Sequence, residues 1–347
     1  MRHVMSCGLA LFVVCLITSG VVADDETDAY KAICKTASIN ISSNDRSRAE
    51  YERLVGEVAT RLIAQCKGYR EKYPEGKHTP EVLALLARGQ AMLARVTDSK
   101  AKMTEAAETA QQVITDYPDS PGAAEATVVV MEGALWNRQY DDVLEQAAKT
   151  IEKYPDSTAV PAALYCRALE YDKLHKDEEA TATLETIVKD HRKSDYYDRA
   201  ERWLFYRKLK GTEMNLQFVA SDGRRVDFRK LRGKVVLVHF WASWCPYCVD
   251  EIPALVTLER ELRGDGFCIV GISMNWGKTG TQRFMEKAGM TWPEYHDGKQ
   301  WKNPIAQKYR VNSIPQTFLI DKQGKIREIG LHGDSLAEAA RKLLAED

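Results

Sequence analysis

Apolar and polar positions change period once along this chain, and the change divides it. From about residue 24 to residue 210 apolar residues recur at helical spacing in segments rich in Ala, Glu, Lys and Leu, so the pattern predicts helix after helix. From Glu213 it shortens to apolar runs with turn residues between them. Residues 216–219 and 226–228 flank Ser221-Asp222-Gly223, a hairpin with an Asp-Gly turn. The run Val235-Val236-Leu237-Val238-His239-Phe240 reads as a buried strand, and Ile252, Leu255, Val256, Leu258 and Leu262 follow at helical spacing. Residues 267–273 form a second apolar strand, 282–288 a helix, 314–321 and 325–329 two strands about Lys322-Gln323-Gly324, and 336–344 a closing helix. A strand, helix, strand order implies an α/β unit with a covered sheet. The expected organisation is an all-α domain over 24–210 and an α/β domain over 211–347.

One punctuation mark recurs in the helical part. Tyr73-Pro74-Glu75 is followed by Tyr117-Pro118-Asp119-Ser120, Tyr154-Pro155-Asp156-Ser157 and a degenerate His191-Arg192-Lys193-Ser194, the last three 37 residues apart. A repeat of this length, with proline closing a helix, marks stacked helical hairpins, because one hairpin cannot bury its apolar face alone. Within a unit the reading is a helix over 123–136, a turn over 137–139 and a helix over 140–153, with Ser120 as N-cap and Pro121 at the first helical position. Residues 47–209 resemble tetratricopeptide-like repeats of exported proteins, although the unit exceeds the usual length and its first copy is stretched. That resemblance implies a concave surface for a protein partner or for self-association. A stabilising appendage without a partner is the other reading.

The candidate chemistry lies where the buried strand hands over to a helix, at Cys245-Pro246-Tyr247-Cys248. A Cys-x-x-Cys pair there suits redox work, because the first sulfur becomes the helix N-cap and the macrodipole favours its thiolate. Cys245 is the expected attacking thiolate and Cys248 the resolving thiol. A zinc half-site or a structural disulfide are the alternatives. Zinc needs about four ligands, and histidines 78, 175, 191, 239, 296 and 332 show no such spacing.

Composition adds bounds. The 347 residues are 44% hydrophobic and 29% charged with a net charge of -1, enough for two cores and without the basic excess of a nucleic-acid or anionic-membrane binder. The first residues read as an export signal: Arg2 and His3, an apolar stretch over 9–17, then Val21-Val22-Ala23 before Asp24-Asp25-Glu26, with cleavage expected after Ala23. The apolar stretch is shorter than the roughly 20 residues of a spanning helix. Export places the remaining six cysteines in an oxidising compartment, the periplasm or an equivalent space. Cys34 and Cys66 are then a structural disulfide or two buried thiols, and Cys166 and Cys268 inert core residues.

Residues 213–347 resemble the TlpA-like family of exported thioredoxin-fold thiol-disulfide oxidoreductases. The matching features are Gly233-Lys234 before the strand, Phe240-Trp241-Ala242-Ser243-Trp244-Cys245, Glu251, Pro253, and Ile314-Pro315 before a strand. The resemblance implies that Ile314-Pro315 is a cis dipeptide against the cysteines, presenting backbone to substrate, and that Trp241, Trp244, Pro246, Tyr247 and Pro315 frame a groove. It also implies that Glu251 assists proton transfer at the buried cysteine, a task suited to a carboxyl of raised pKa; a surface glutamate in the first turn is the plainer reading. Two departures stand out. His239 occupies the place of the buried acid of thioredoxins. Pro246-Tyr247 leaves a Tyr247 N–H expected to reach the sulfur, which argues for a Cys245 pKa below about 7 and a pair more oxidising than about -270 mV. Ala242, where peroxiredoxins carry Thr or Ser, argues against peroxide reduction.

The expected function is thiol-disulfide exchange with exported protein thiols and disulfides, served by a membrane or periplasmic thiol electron donor and requiring no bound cofactor. A helical-repeat scaffold whose redox domain is secondary is the alternative.

Overall fold

In the computed structural model, which describes residues 25–41, 48–277 and 280–346, helices alone account for the regular structure up to residue 209. The expected export signal and its cleavage site lie outside the described residues. Helices α1 (Asp25–Ala37), α2 (Arg48–Lys72), α3 (Thr79–Val96), α4 (Lys100–Asp116), α5 (Pro121–Asn137), α6 (Tyr140–Lys153), α7 (Val160–Lys173), α8 (Asp177–Asp190) and α9 (Tyr197–Leu209) follow one another. Among the described residues no helix is long and apolar enough to cross a membrane.

The repeated punctuation is helix-capping chemistry. Tyr117, Tyr154 and His191 are the C-caps of α4, α6 and α8, and each accepts a backbone bond at 3.0 Å from the serine three residues on. Ser120 caps α5 by accepting from the Ala123 N–H at 3.1 Å, with Pro121 in the first turn, where a missing N–H costs nothing. The Tyr154 hydroxyl donates to the Pro118 carbonyl at 2.7 Å, tying one unit to the next. Inside the hairpins the turn residues Asp98, Arg138 and His175 adopt left-handed backbone with φ of 46°, 60° and 56°. Cys34 and Cys66 are buried thiols in one apolar cluster, and burial, with Cys34 beside it, pushes the Cys66 thiol up to about 12.

The chain divides into two compact units, with the division at Leu204 and Phe205, inside α9. The second unit carries two sheets. Strands β1 (Gln217–Val219) and β2 (Arg225–Asp227) pair antiparallel about the turn at Gly223, whose φ of 85° suits glycine. The main sheet comprises β3 (Val235–Trp241), β4 (Phe267–Ser273), β5 (Glu294–Tyr295), β6 (Gln316–Ile320) and β7 (Ile326–Ile329), in the order β5-β4-β3-β6-β7. β3, β4 and β5 are parallel, while β6 runs antiparallel to β3 and β7 to β6. With α10 (Pro246–Leu262) leading out of β3, α11 (Thr281–Ala288), α12 (Pro304–Lys308) and a closing α13 (Gly333–Ala345), this is a thioredoxin-like α/β domain of mixed sheet, and it follows an all-helical N-terminal region in the sequence. Every residue of β3 is buried, as expected of a central strand covered on both faces. The two-residue β5 and the short α12 carry no periodicity in the sequence and were not expected from it.

Candidate active site

β3 ends at Trp241, and three residues later the chain turns into α10 with Cys245 as N-cap. Cys245 has extended backbone (φ -92°, ψ 106°), Pro246 opens the helix, and the Cys248 N–H points at the Cys245 sulfur at 3.2 Å. This donor is the third helical residue, Cys248, whose N–H is kept by this dipeptide and by one with proline in second place alike. Cys245 and Cys248 are joined as a disulfide with Cα atoms 5.3 Å apart, Cys245 5% exposed and Cys248 fully buried.

Two strands position the loop before the pair. From the end of β4, the Asn275 side-chain oxygen accepts from both the Ser243 N–H and the Ser243 hydroxyl at 2.9 Å. Asn275 in turn donates its backbone and side-chain N–H groups to the Ser273 hydroxyl oxygen at 3.2 and 3.0 Å, and His296 Nδ1 lies 2.9 Å from the same oxygen. On the other side the Ile314–Pro315 peptide is cis, and the Ile314 carbonyl oxygen lies 3.6 Å from Cys245 Sγ. The sequence reading missed Asn275, Ser273 and His296, which come together only through the parallel pairing of β3, β4 and β5.

Of the residues expected to frame a groove, Trp244, Pro246, Ile314 and Pro315 are half-buried and Tyr247 is 37% exposed. Trp244 meets Trp301 edge-on at 6.3 Å. Trp241 does not belong with them. It is fully buried and its indole N–H donates to Glu294 Oε1 at 3.0 Å, so it is a core residue.

Glu251 lies three residues after Cys248 on α10, hence on the same helical face. Its Oε1 is 2.8 Å from His239 Nε2 and its Oε2 is 2.9 Å from His332 Nδ1, with only 13% of the side chain exposed. Burial pushes this carboxyl up, and the two imidazole partners override it, holding Glu251 down at about 2. The expectation of a raised pKa is thus overturned, because the sequence did not reveal donors 12 and 81 residues away. His239 is fully buried and bonded to Glu251 through one ring nitrogen, and its other, Nδ1, is buried with no partner among the described residues.

Comparison with known proteins covers the same part of the chain. Residues 209–329 match the model of the AhpC/TSA family. The thiol-disulfide oxidoreductase ResA of Geobacillus thermodenitrificans is 34% identical over 114 residues, 32% of this chain and 64% of the relative. That of Halalkalibacterium halodurans is 31% identical over 123 residues, 35% of this chain and 68% of the relative. The chain spans just under two thirds of the length of the first curated relatives it matches, at 64%, 62% and 64%. Among solved structures, the thioredoxin domain of a thiol-disulfide oxidoreductase from Bacteroides vulgatus is 26% identical, with a TM-score of 0.36, over 39% of this chain and 97% of that one.

Proposed function

The chain belongs to the thioredoxin-fold AhpC/TSA family, and from that premise we propose that it is an exported thiol-disulfide oxidoreductase of the TlpA-like kind acting on protein thiols and disulfides. The observation that carries this reading is the Cys245–Cys248 disulfide at the N-cap of α10, against the carbonyl of a cis Ile314–Pro315.

In the reducing direction the Cys245 thiolate attacks one sulfur of a client disulfide, and the other client sulfur leaves as a thiol after taking a proton. Cys248 then loses its proton and attacks Cys245 Sγ, closing the Cys245–Cys248 bond and releasing the second client sulfur, and Glu251, one helical turn on, is the acid-base group that the family resemblance assigns to this step. Two electrons pass from the cysteine pair to the client, and a thiol donor outside the chain restores the dithiol. Run backwards, the same steps oxidise a client. Trp244, Pro246, Tyr247, Ile314 and Pro315 form the client-facing rim, and the Ile314 carbonyl is placed to meet an extended peptide. The helical repeats, resembling tetratricopeptide units, offer a surface for a protein partner. Residues 1–23 act as the export signal that delivers the chain to the periplasm.

Cys248→Ser tests this. The variant cannot resolve the mixed disulfide, so clients accumulate bound to Cys245 and are released by dithiothreitol. Partners that are captured equally by a Cys245→Ser variant and resist reductant would instead favour a scaffold built on the helical repeats.

A further inference from the structure

The hydrogen bonds that brace the loop before Cys245 run in one direction, because both ends of the series admit no choice. The Ser243 backbone N–H can only donate, so the Asn275 side-chain atom 2.9 Å from it is the oxygen, and the Asn275 amide nitrogen donates to Ser273 Oγ at 3.0 Å. At the other end the Gly277 carbonyl can only accept, so His296 Nε2, bonded to it, carries the ring hydrogen. In a neutral imidazole Nδ1 is then an acceptor. It lies 2.9 Å from Ser273 Oγ and takes the hydroxyl hydrogen. Donation therefore passes from Ser243 to Asn275, to Ser273, to His296 and to Gly277. Ser273 and Asn275 are 0% and 4% exposed, so water does not replace a bond lost between them.

We propose that His296, as a neutral imidazole, is a positioning residue for Cys245: by accepting the Ser273 hydroxyl hydrogen it keeps Asn275 and the Ser243 loop in place, and protonation of the ring releases them. This rests on the reading of Cys245 and Cys248 as an exchanging pair. Ser273 Oγ already accepts from the backbone and side-chain N–H groups of Asn275, at 3.2 and 3.0 Å, which uses both of its lone pairs. An imidazolium brings a hydrogen on Nδ1 to that saturated oxygen, and one of the Asn275 bonds gives way. The effect reaches the sulfur through a single turn. The Cys245 N–H donates to the Ala242 carbonyl at 3.2 Å, so Ser243 lies inside the turn that delivers Cys245 to its N-cap position, 3.6 Å from the Ile314 carbonyl oxygen. A shift of about 1 Å at a reacting atom costs on the order of a hundredfold in rate.

The other titratable groups around His296 are engaged elsewhere or exposed. Glu294 bonds to Trp241, Tyr295 meets Phe218 edge-on at 5.2 Å, and Asp297 accepts from the Lys299 N–H at 3.0 Å. Lys299 and Lys302 are exposed. The titratable groups of β3 and β4 are His239, bonded to Glu251, and Cys268.

Glutathione disulfide serves as the probe with the reduced full chain. The Cys245 thiolate attacks one of its sulfurs, a mixed disulfide forms, and one glutathione leaves with the bonding electrons and takes a proton from solvent. The rate is followed as loss of the alkylatable Cys245 thiol for wild type, His296→Asn and His296→Leu, from pH 5 to 8, where histidines change charge. The asparagine oxygen stands where Nδ1 stands, accepts from Ser273 and takes no proton, whereas leucine offers no acceptor. Ionisation of Cys245 is common to all three, so ratios of rates isolate the imidazole. The expected result is wild type and His296→Asn within about twofold at pH 8, His296→Leu roughly fivefold slower there, and wild type roughly threefold slower than His296→Asn at pH 5. A ratio of wild type to His296→Asn that stays constant across the range, or His296→Leu at the wild-type rate, overturns the proposal while leaving exchange itself intact. If wild type does not react with glutathione disulfide, the exchange reading fails and takes this one with it. Should His296→Leu not fold, the ratio of wild type to His296→Asn decides alone: a fall toward pH 5 supports the proposal, and a constant ratio overturns it.

Discussion

Glu251 and Glu294 of the α/β domain are both largely withdrawn from water, and their environments drive them to opposite charge states. Glu251 faces two imidazole donors and is held ionised, at about 2. Glu294, on β5, is 1% exposed with a single indole donor from Trp241 at 3.0 Å, and its Oε2 has no hydrogen-bond partner. Burial pushes Glu294 well above the usual carboxylate range, and the one neutral donor does not offset it. Loss of water is common to both, so the donors decide the outcome, and they decide it through both oxygens. Glu251 follows Cys248 by three residues on α10, and Glu294 lies on β5 at one edge of the sheet.

The sharpest way to break the pattern is at Gly271. A Cβ there would sit 1.8 Å from Glu294 Oε2, because the glutamate side chain crosses β4 over this glycine. Gly271→Ala should cost roughly 4 kcal/mol in urea unfolding, from overpacking and a displaced acid, and Gly271→Ala with Glu294→Ala should recover part of it.

Next come opposite pH slopes. Glu251 has a folded pKa below its ordinary 4.5, so its stabilisation is fully present above about 4.5 and is lost as pH falls toward about 2. Glu251→Gln should therefore destabilise by about 3 kcal/mol at pH 7, an order-of-magnitude figure, and by much less at pH 3. Glu294 has a raised folded pKa, so the native state retains a proton that the unfolded chain releases above 4.5, and stability falls as pH rises. Glu294→Gln should match wild type at pH 4 and become the more stable of the two as pH rises above about 4.5. Parallel slopes for the two variants would break the comparison. The smallest effect is expected at Trp241→Phe, which removes one hydrogen bond from a neutral acid and should cost about 1 to 2 kcal/mol.

What the sequence disclosed, and what it withheld, divide along the same line. Features whose chemistry is local were legible: Cys245 as N-cap with Pro246 after it, the recurring Tyr-Pro helix ends of the repeats, Ser120 with Pro121, and the buried run of β3. The misread features depend on partners far along the chain. The charge state of Glu251 hangs on His239 and His332, and the role of Asn275 on a loop that β3 and β4 bring beside it. Trp241 was open to a groove or a packing role, and its full burial with a bond to Glu294 decides for packing. One local trace of the missing chemistry was present: a histidine followed by glycine at a helix start, where a capping side chain belongs.

The measurement that most directly tests the central claim is the reduction potential of Cys245 and Cys248, taken by equilibrating the full chain in glutathione and dithiol buffers and counting alkylated thiols by mass. The account predicts that these two cysteines interconvert together with a midpoint between about -270 and -120 mV, the span of exchanging thioredoxin-fold pairs. A midpoint below about -300 mV, where structural disulfides lie, would contradict it and leave the pair as a staple at the start of α10.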